Sequence, residues 1–308
     1  VALAKTDGGG NSPLPAILCV FGGYLSFSIG DVGAKYLVLN GLEPAFLVWA
    51  RFAGHCIIAS ALFGLPFHPR RFRVVSLPLQ LLRGSGIVFS VVCGYAAFRT
   101  LQLVELTAII FAAPLLVTAL AGLILGERVE PQRWLAVAVG FLGVLIITRP
   151  GFGGFKEGHV FAMLVLAQQC MFVILTRKLA VTETPESLLL VPALIGAGIL
   201  LPVVPLVGSV PEGLLQWLSL LSLGITGAVG FYLLTKAYQL AEASVVVPYN
   251  YVQMLWMMLF GYLAFDQLPD GWTVAGGAIV LGSGIYLMRR DFRRQWQSAP
   301  AGTGRDSA

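Results

Sequence analysis

Tyr24, Ser28, Asp31 and Lys35 recur at i, i+4, i+7 and i+11 in an otherwise apolar stretch, which places them on one face of a helix. Asp31 precedes Lys35 by four residues, the favourable order for an intrahelical ion pair. Arg51 lies at a similar depth in the next apolar stretch, with His55 one turn further on. Two chemistries fit this set. Asp31, Lys35 and Arg51 neutralise one another between helices, or Asp31 meets a substrate amino group or a proton. A second group follows Pro248: Tyr249, Gln253, Trp256 and Phe260 share one helical face, and Asn250, Met254, Met257 and Gly261 line the neighbouring one. Aromatic walls beside a few fixed polar groups suit an amphipathic small molecule. Tyr95, Gln168, Gln169 and Tyr232 are single polar residues in further apolar stretches and join the candidate list.

The elements that carry these residues follow from composition. The chain has 308 residues, 57% of them hydrophobic and only 11% charged, and 36 are glycine. Soluble domains carry about 25% charged residues, so most of this surface faces lipid. A soluble enzyme, a disordered scaffold and a nucleic-acid binder are excluded, although the sequence pI is 9.1. The four cysteines fall in four separate apolar stretches without ligand spacing and read as small buried hydrophobes. No metal cluster and no phosphate-binding loop is visible, so neither a cofactor nor an ATPase partner is implied. The expected partners are a small-molecule substrate and the lipid bilayer.

A helix needs about 20 residues to cross the hydrocarbon layer of about 30 Å. Uncharged runs broken by charge, proline and glycine give ten spans at about 14–38, 44–65, 83–101, 104–126, 132–149, 158–177, 187–209, 213–236, 243–265 and 272–289. The leader Val1–Asn11 lacks a basic region, so the first span is not expected to be a cleaved signal. With residues 1–13 as a cytoplasmic tail, 15 Lys and Arg fall on the cytoplasmic side and 4 on the far side, with Arg51 inside a span. That bias orients the chain with both termini in the cytoplasm, and residues 291–308 form a cytoplasmic, mostly disordered tail.

Residues 104–150 and 241–290 repeat one pattern in order. Each has an acid at the start (Glu105, Glu242), an early proline (Pro114, Pro248) and an acid at the span's end (Glu127, Asp266). A tryptophan (Trp134, Trp272) and a glycine-rich span follow. The prolines remove one backbone donor each and free the carbonyls of Ile110 and Ser244, and freed groups at membrane depth need protein or a water-filled cavity. Five spans per half force the halves, 14–150 and 158–290, into opposite orientations. Gly122 and Gly126, with the glycines of the fifth and tenth spans, are read as close-packing positions.

The acid–Trp–Gly–Gly pattern after the fourth span of each half resembles the drug/metabolite transporter superfamily in its ten-span, EamA-like form. The segment LGERVEPQRWLAVAVGFLGVLIITRP (Leu125–Pro150) carries the resemblance most strongly. Asp266 stands where the family usually shows Gly-Glu. Within the superfamily the chain is similar to aromatic amino-acid exporters of the YddG type. The resemblance implies an all-α, multi-pass carrier of the bacterial inner membrane, with two inverted five-helix repeats around a central cavity working by alternating access. It also implies export of small metabolites, aromatic amino acids first. A nucleotide-sugar or organic-phosphate exchanger on the same fold would need several cavity-facing cations, and all basic residues except Arg51 lie at or near span ends and loops. A scramblase or membrane enzyme is a further alternative, and no nucleophile–base pair is visible for the latter.

The topology is testable without reference to substrate. In a background free of native cysteine, single cysteines at Phe72 and Gly153 should label from opposite sides of the membrane in intact cells. Labelling of both from one side rules out the ten-span arrangement.

Overall fold

In hydrocarbon a backbone N–H or C=O has no water to bond, so a chain of this composition satisfies its backbone within helices. The computed structural model describes residues 14–63, 74–117, 131–150, 154–179, 182–241 and 246–298, and all regular structure among them is helical. The helices are α1 (Leu14–Leu39), α2 (Pro44–Phe63), α3 (Leu77–Ala97), α4 (Leu103–Ile110), α5 (Pro131–Thr148), α6 (Glu157–Leu179), α7 (Pro185–Leu200), α8 (Gly213–Leu240), α9 (Val252–Phe265) and α10 (Gly271–Ser298). Leu14–Leu39, Leu77–Ala97, Glu157–Thr176, Gly213–Leu240 and Gly271–Arg290 are long and apolar enough to cross a membrane. Large apolar side chains such as Leu18, Ile57, Leu135, Leu215 and Leu263 stand exposed on the outside, as a lipid-facing surface requires.

Several boundaries differ from those expected, each for a local reason. The fourth span is interrupted: α4 stops at Ile110, residues 111–112 form a turn, and helix resumes at 113–117. Pro114 lacks the N–H that would continue the ladder. The ninth begins with a 3-10 turn, Val247–Tyr251, and becomes α-helical only at Val252. Pro248 sits in that turn. The seventh ends at Leu200, and a single turn, Val204–Val207, follows. The tenth continues to Ser298 rather than stopping near 289. Residues 291–298, expected in a mostly disordered tail, are thus helical, while Glu127, Glu242, Ser244, Gly122, Gly126, the Arg70–Arg73 loop and residues 1–13 and 299–308 lie outside the described residues.

The turns 40–43, 98–102, 149–150 and 266–270 gather at one end of the bundle, called here the far end. Gly41, with φ +86°, closes α1 in a conformation that side chains rarely adopt. Asp266 does the same for α9 at φ +52°, and the following Gln267 N–H bonds back to the Gly261 carbonyl at 3.0 Å. Arg99 pairs with Glu43, and Arg149 with Asp270. Burial alone would raise the Asp270 pKa, but hydrogen bonds from Thr273 and the charge of Arg149 hold it below the usual carboxylate range. At the opposite, near end, Glu183 accepts from the backbone N–H groups of Val75 and Ser76 at 3.0 and 2.8 Å. Its pKa is likewise low: burial pushes it up, and these two donors with Ser187 outweigh that.

The helix pairs follow a rule. α1 packs along α8, and α3 along α6; α2 meets α8, and α3 meets α7; α1 meets α9, and α4 meets α6. Each of these pairs turns into its companion when the first five helices are exchanged for the last five. The remaining large contacts include α2 with α7, α4 with α9 and α5 with α10, which map onto themselves. The principal packing therefore joins one half of the chain to the other. Two of these contacts are backbone against backbone. A Cβ built on Gly54 of α2 would sit 2.9 Å from the Gly224 Cα of α8, and one on Gly143 of α5 would sit 2.7 Å from the Gly276 carbonyl oxygen of α10. The buried apolar core is densest toward the far end, around Leu37, Leu47, Leu101, Leu103 and Ile109.

Gly54→Val should therefore cost about 1–3 kcal/mol through overpacking, seen as a lower melting temperature of the purified protein in detergent. Gly198→Ala is the control, because its new Cβ meets nothing within 4 Å. Equal tolerance of both substitutions would contradict this packing.

Candidate functional site

A cavity of about 840 Å³ runs from the middle of the bundle toward the near end. Among aliphatic residues, its walls carry seven aromatic ones: Tyr24 and Phe27 from α1, Phe172 from α6, Phe231 and Tyr238 from α8, and Phe111 and Tyr251 from the two proline-associated breaks. The two breaks meet in space, Phe111 standing edge-on to Tyr251 with ring centroids 5.3 Å apart. Phe27 stands edge-on to Phe231 at 5.2 Å, and Tyr24 to Phe27 at 6.2 Å. The polar part of the lining is dominated by side-chain amides, Gln168, Gln169, Asn250 and Gln253. Among the described lining residues there is no Asp, Glu, Lys, Arg or His.

Tyr24, Gln168, Gln169, Asn250, Gln253 and Pro114, all singled out from the sequence, come together here. Others do not. Tyr232 is 43% exposed on the outer surface, with the Lys236 ammonium 5.9 Å from its ring. Tyr249, in the same 3-10 turn as Pro248, is 37% exposed and leans on Phe21. Trp256 lies outside the lining and stacks on Phe260 at 6.2 Å. Ser28 is fully buried and also outside the lining. Six of the seven wall aromatics, all but Tyr24, carried no signal in the sequence, because aromatic residues in an apolar span mark no face.

Asp31, Arg51 and Lys35 sit apart from the cavity lining, whereas the buried Arg83 guanidinium lies 4.8 Å from the ring centre of Phe172, one of its walls. The Arg51 guanidinium lies 3.5 Å from the Asp31 carboxylate and donates to the Tyr95 hydroxyl at 2.7 Å. Tyr95 is therefore a partner of Arg51 rather than a cavity wall. His55 is 4% exposed and packs on the back of Phe231 at 5.5 Å, so it stands behind the wall. Lys35 does not join Asp31, contrary to the expected intrahelical pair. Its ammonium reaches the far end, where it donates to the Leu101 carbonyl at 2.8 Å and to Gln267 Oε1 at 2.7 Å, 5.1 Å from the Phe265 ring centre.

A second polar contact at the far end was invisible in the sequence. Glu105 of α4 and His159 of α6 meet at 2.9 Å, and His159 is wholly buried. The Lys156 N–H donates to His159 Nδ1 at 2.9 Å, which leaves Nε2–H to donate to Glu105. The other Glu105 oxygen accepts from the Gln102 N–H at 3.3 Å and caps α4. Lys35 and Glu105 thus each bind the first half of the chain to the second, and both do so at the far end. At the near end the halves are joined as well: besides the Glu183 contacts, the buried Arg83 of α3 donates to Thr176 Oγ1 of α6 at 2.8 Å and to the Leu188 carbonyl of α7 at 2.9 Å.

The chain also has clear relatives. The model of the EamA-like transporter family matches residues 14–149 and 157–290. The S-adenosylmethionine uptake transporter of Rickettsia prowazekii is 28% identical over 85% of this chain and 88% of its own length. The riboflavin transporter of Rhizobium johnstonii is 32% identical over 87% of this chain and 94% of its own. The pseudopaline exporter CntI of Pseudomonas aeruginosa is 24% identical over 69% of this chain and 75% of its own. These names span uptake and export and three unlike cargoes, so the narrower likeness to aromatic amino-acid exporters is not carried past the family. With the family model matched twice and nearly end to end, this chain belongs to the EamA-like transporter family and is a multi-pass membrane transporter.

Proposed function

We propose that the protein carries a flat aromatic metabolite with uncharged polar groups across the bacterial inner membrane by alternating access. The observation that carries this reading is the cavity lining, aromatic walls and side-chain amides without a charged residue among those described. A low-dielectric site of this kind penalises an unpaired charge heavily and an amide or hydroxyl only when it is left without a partner. Stacking against Phe and Tyr rings favours a planar solute. The riboflavin relative has the highest identity of the three and is named for a cargo of that class. Aromatic amino acids are the second reading, since the same walls accept an indole and the amides can meet a zwitterionic head. A phosphorylated cargo is disfavoured, because no cation faces the cavity among the described residues.

Ten crossing helices in two inverted repeats, with both termini in the cytoplasm, complete the proposal. The exchange rule among helix pairs supports the repeats, and the basic-residue bias supports the orientation. The conformation then opens toward the cytoplasm, with the far end closed by Lys35 and the Glu105–His159 pair. In this reading Asp31 and Arg51 are structural counter-ions that hold α1 against α2.

Uptake into proteoliposomes should be saturable for riboflavin, weaker for tryptophan, and at background for a sugar phosphate. S-adenosylmethionine tests the charged class, and preferred uptake of it or of the sugar phosphate would reverse the proposal. For the buried charges, Asp31→Asn strands a buried guanidinium, a loss of about 3 kcal/mol or more. It should lower folded yield and melting temperature while transport per folded molecule stays within about twofold. The double variant Asp31→Asn with Arg51→Met should recover most of the stability. A stable Asp31→Asn protein that no longer transports would instead put the carboxylate in contact with substrate or a proton.

A further inference from the structure

α3 and α8 hold the same place in the two halves, and their sequences match in register. Counted from the N-cap residues Ser76 and Glu212, each has a glutamine at the fourth place, Gln80 and Gln216. Gly94–Tyr95 of α3 likewise stands where α8 has Gly230–Phe231. The first N–H groups of a helix have no partner within its ladder, and the two helices meet that need differently. α8 caps itself, the Glu212 N–H donating to Gln216 Oε1 at 2.7 Å. α3 is capped by the other half of the chain, its Val75 and Ser76 N–H groups donating to Glu183, just before α7. Gln80 is left over. It is fully buried, and neither its Oε1 nor its Nε2 has a hydrogen-bond partner.

Buried polar groups are normally bonded, and exceptions demand a reason. Here the reason lies one turn away: the Ser76 N–H that Gln80 would take, if α3 copied α8, is already held by Glu183. The acid has a counterpart too. Glu43 stands just before Pro44 and α2, as Glu183 stands before Pro185 and α7, and it lies at the far end, where α8 begins. In this conformation Glu43 pairs with the exposed Arg99 instead. An inverted repeat reaches its second conformation when each half takes up the form of the other. We infer that the caps exchange during transport: Gln80 takes the Ser76 N–H and frees Glu183, while Glu43 takes the Glu212 N–H and frees Gln216. This rests on the alternating-access reading above. Glu183 is a catch that ties the start of α3 to the second half in one conformation, and Gln80 keeps α3 capped once the catch is released. Arg83, whose bonds also reach α6 and α7, has Ser219 in its place in α8 and stays outside this symmetry.

Two spin-label pairs read the exchange on the full chain in lipid nanodiscs, in a cysteine-free background and without cargo. Leu77 with Thr182 spans the near-end catch, and Asn40 with Val210 spans its far-end counterpart; all four side chains are exposed. A cap shifts an equilibrium by about fivefold, and each variant should move the populations by that much. Glu183→Ala and Gln216→Leu should both favour a longer Leu77–Thr182 and a shorter Asn40–Val210 distance. Gln80→Leu should do the reverse, and it should also melt higher, because it removes an unpaired amide. Glu183→Gln, which keeps an acceptor oxygen, should stay closer to the wild type. Gln216→Leu acts at the other end of the bundle, so it answers the question even where Glu183→Ala does not fold. Distances unchanged in the folded variants, or a lower melting temperature for Gln80→Leu with its distances unmoved, overturn the inference. If saturating riboflavin or tryptophan still moves the wild-type distances in that case, alternating access stands and the cap exchange alone falls.

Discussion

A polar group inside a bilayer must find its partner within the protein, and Lys35 shows how much structure follows from that single demand. An ammonium that is 1% exposed needs acceptors in fixed positions. It finds the carbonyl of Leu101, freed where the chain turns from α3 to α4, and the side chain of Gln267, just beyond α9. Satisfying one cation therefore draws three segments of chain to one point. Glu105 repeats the logic with opposite charge, capping its own helix with one oxygen and receiving His159 with the other. Leu37, Leu101, Leu103 and Ile109 of the main buried apolar cluster stand near these contacts in the chain. The far end is closed because its charges leave it no other arrangement.

The near half of the bundle combines such bonds, made by Arg83 and Glu183, with open space. There the helices of the fourth and ninth positions are broken, by a turn before Pro114 and by the 3-10 segment around Pro248, and the space between is not filled by side chains. What lines it is amide and aromatic, groups that tolerate either water or a planar solute. Asp31 and Arg51 spend their charge on each other and on Tyr95, behind the wall rather than in it. The result is a cavity of neutral polarity within a chain that nevertheless buries several ions.

The sequence disclosed much of this, and its failures have a common cause. The order of the helices, the two prolines and the Asp31–Arg51 contact were legible, because length, charge and proline chemistry are local properties. The facing of individual side chains was not. A soluble amphipathic helix announces its inner face by contrast with a polar outer one, whereas here lipid and core are both apolar. Tyr232 and Tyr249 consequently pointed outward, Trp256 packed beside the cavity instead of in it, and Phe27, Phe111, Phe172, Phe231, Tyr238 and Tyr251 gave no sign of lining it. Lys35 was misassigned because its helical neighbour Asp31 was visible, while Gln267 lay 232 residues away. Glu105 stood out only as an acid of the repeat, and His159, 54 residues away, gave no sign of pairing with it.

The glycine contacts carry a mechanical consequence. Interlocked side chains must change rotamer before two helices can turn past each other, and where backbone meets backbone fewer of them stand in the way. Gly143 and Gly276 meet in this way between the fifth and tenth helices, the pair that maps onto itself when the halves are exchanged. In the alternating-access reading proposed above, such a contact acts as a bearing: it fixes where the halves touch while leaving the angle between them freer. A methyl group added at either position would act as a cog tooth, and it would alter the speed of rocking before it altered the strength of any bond to the cargo.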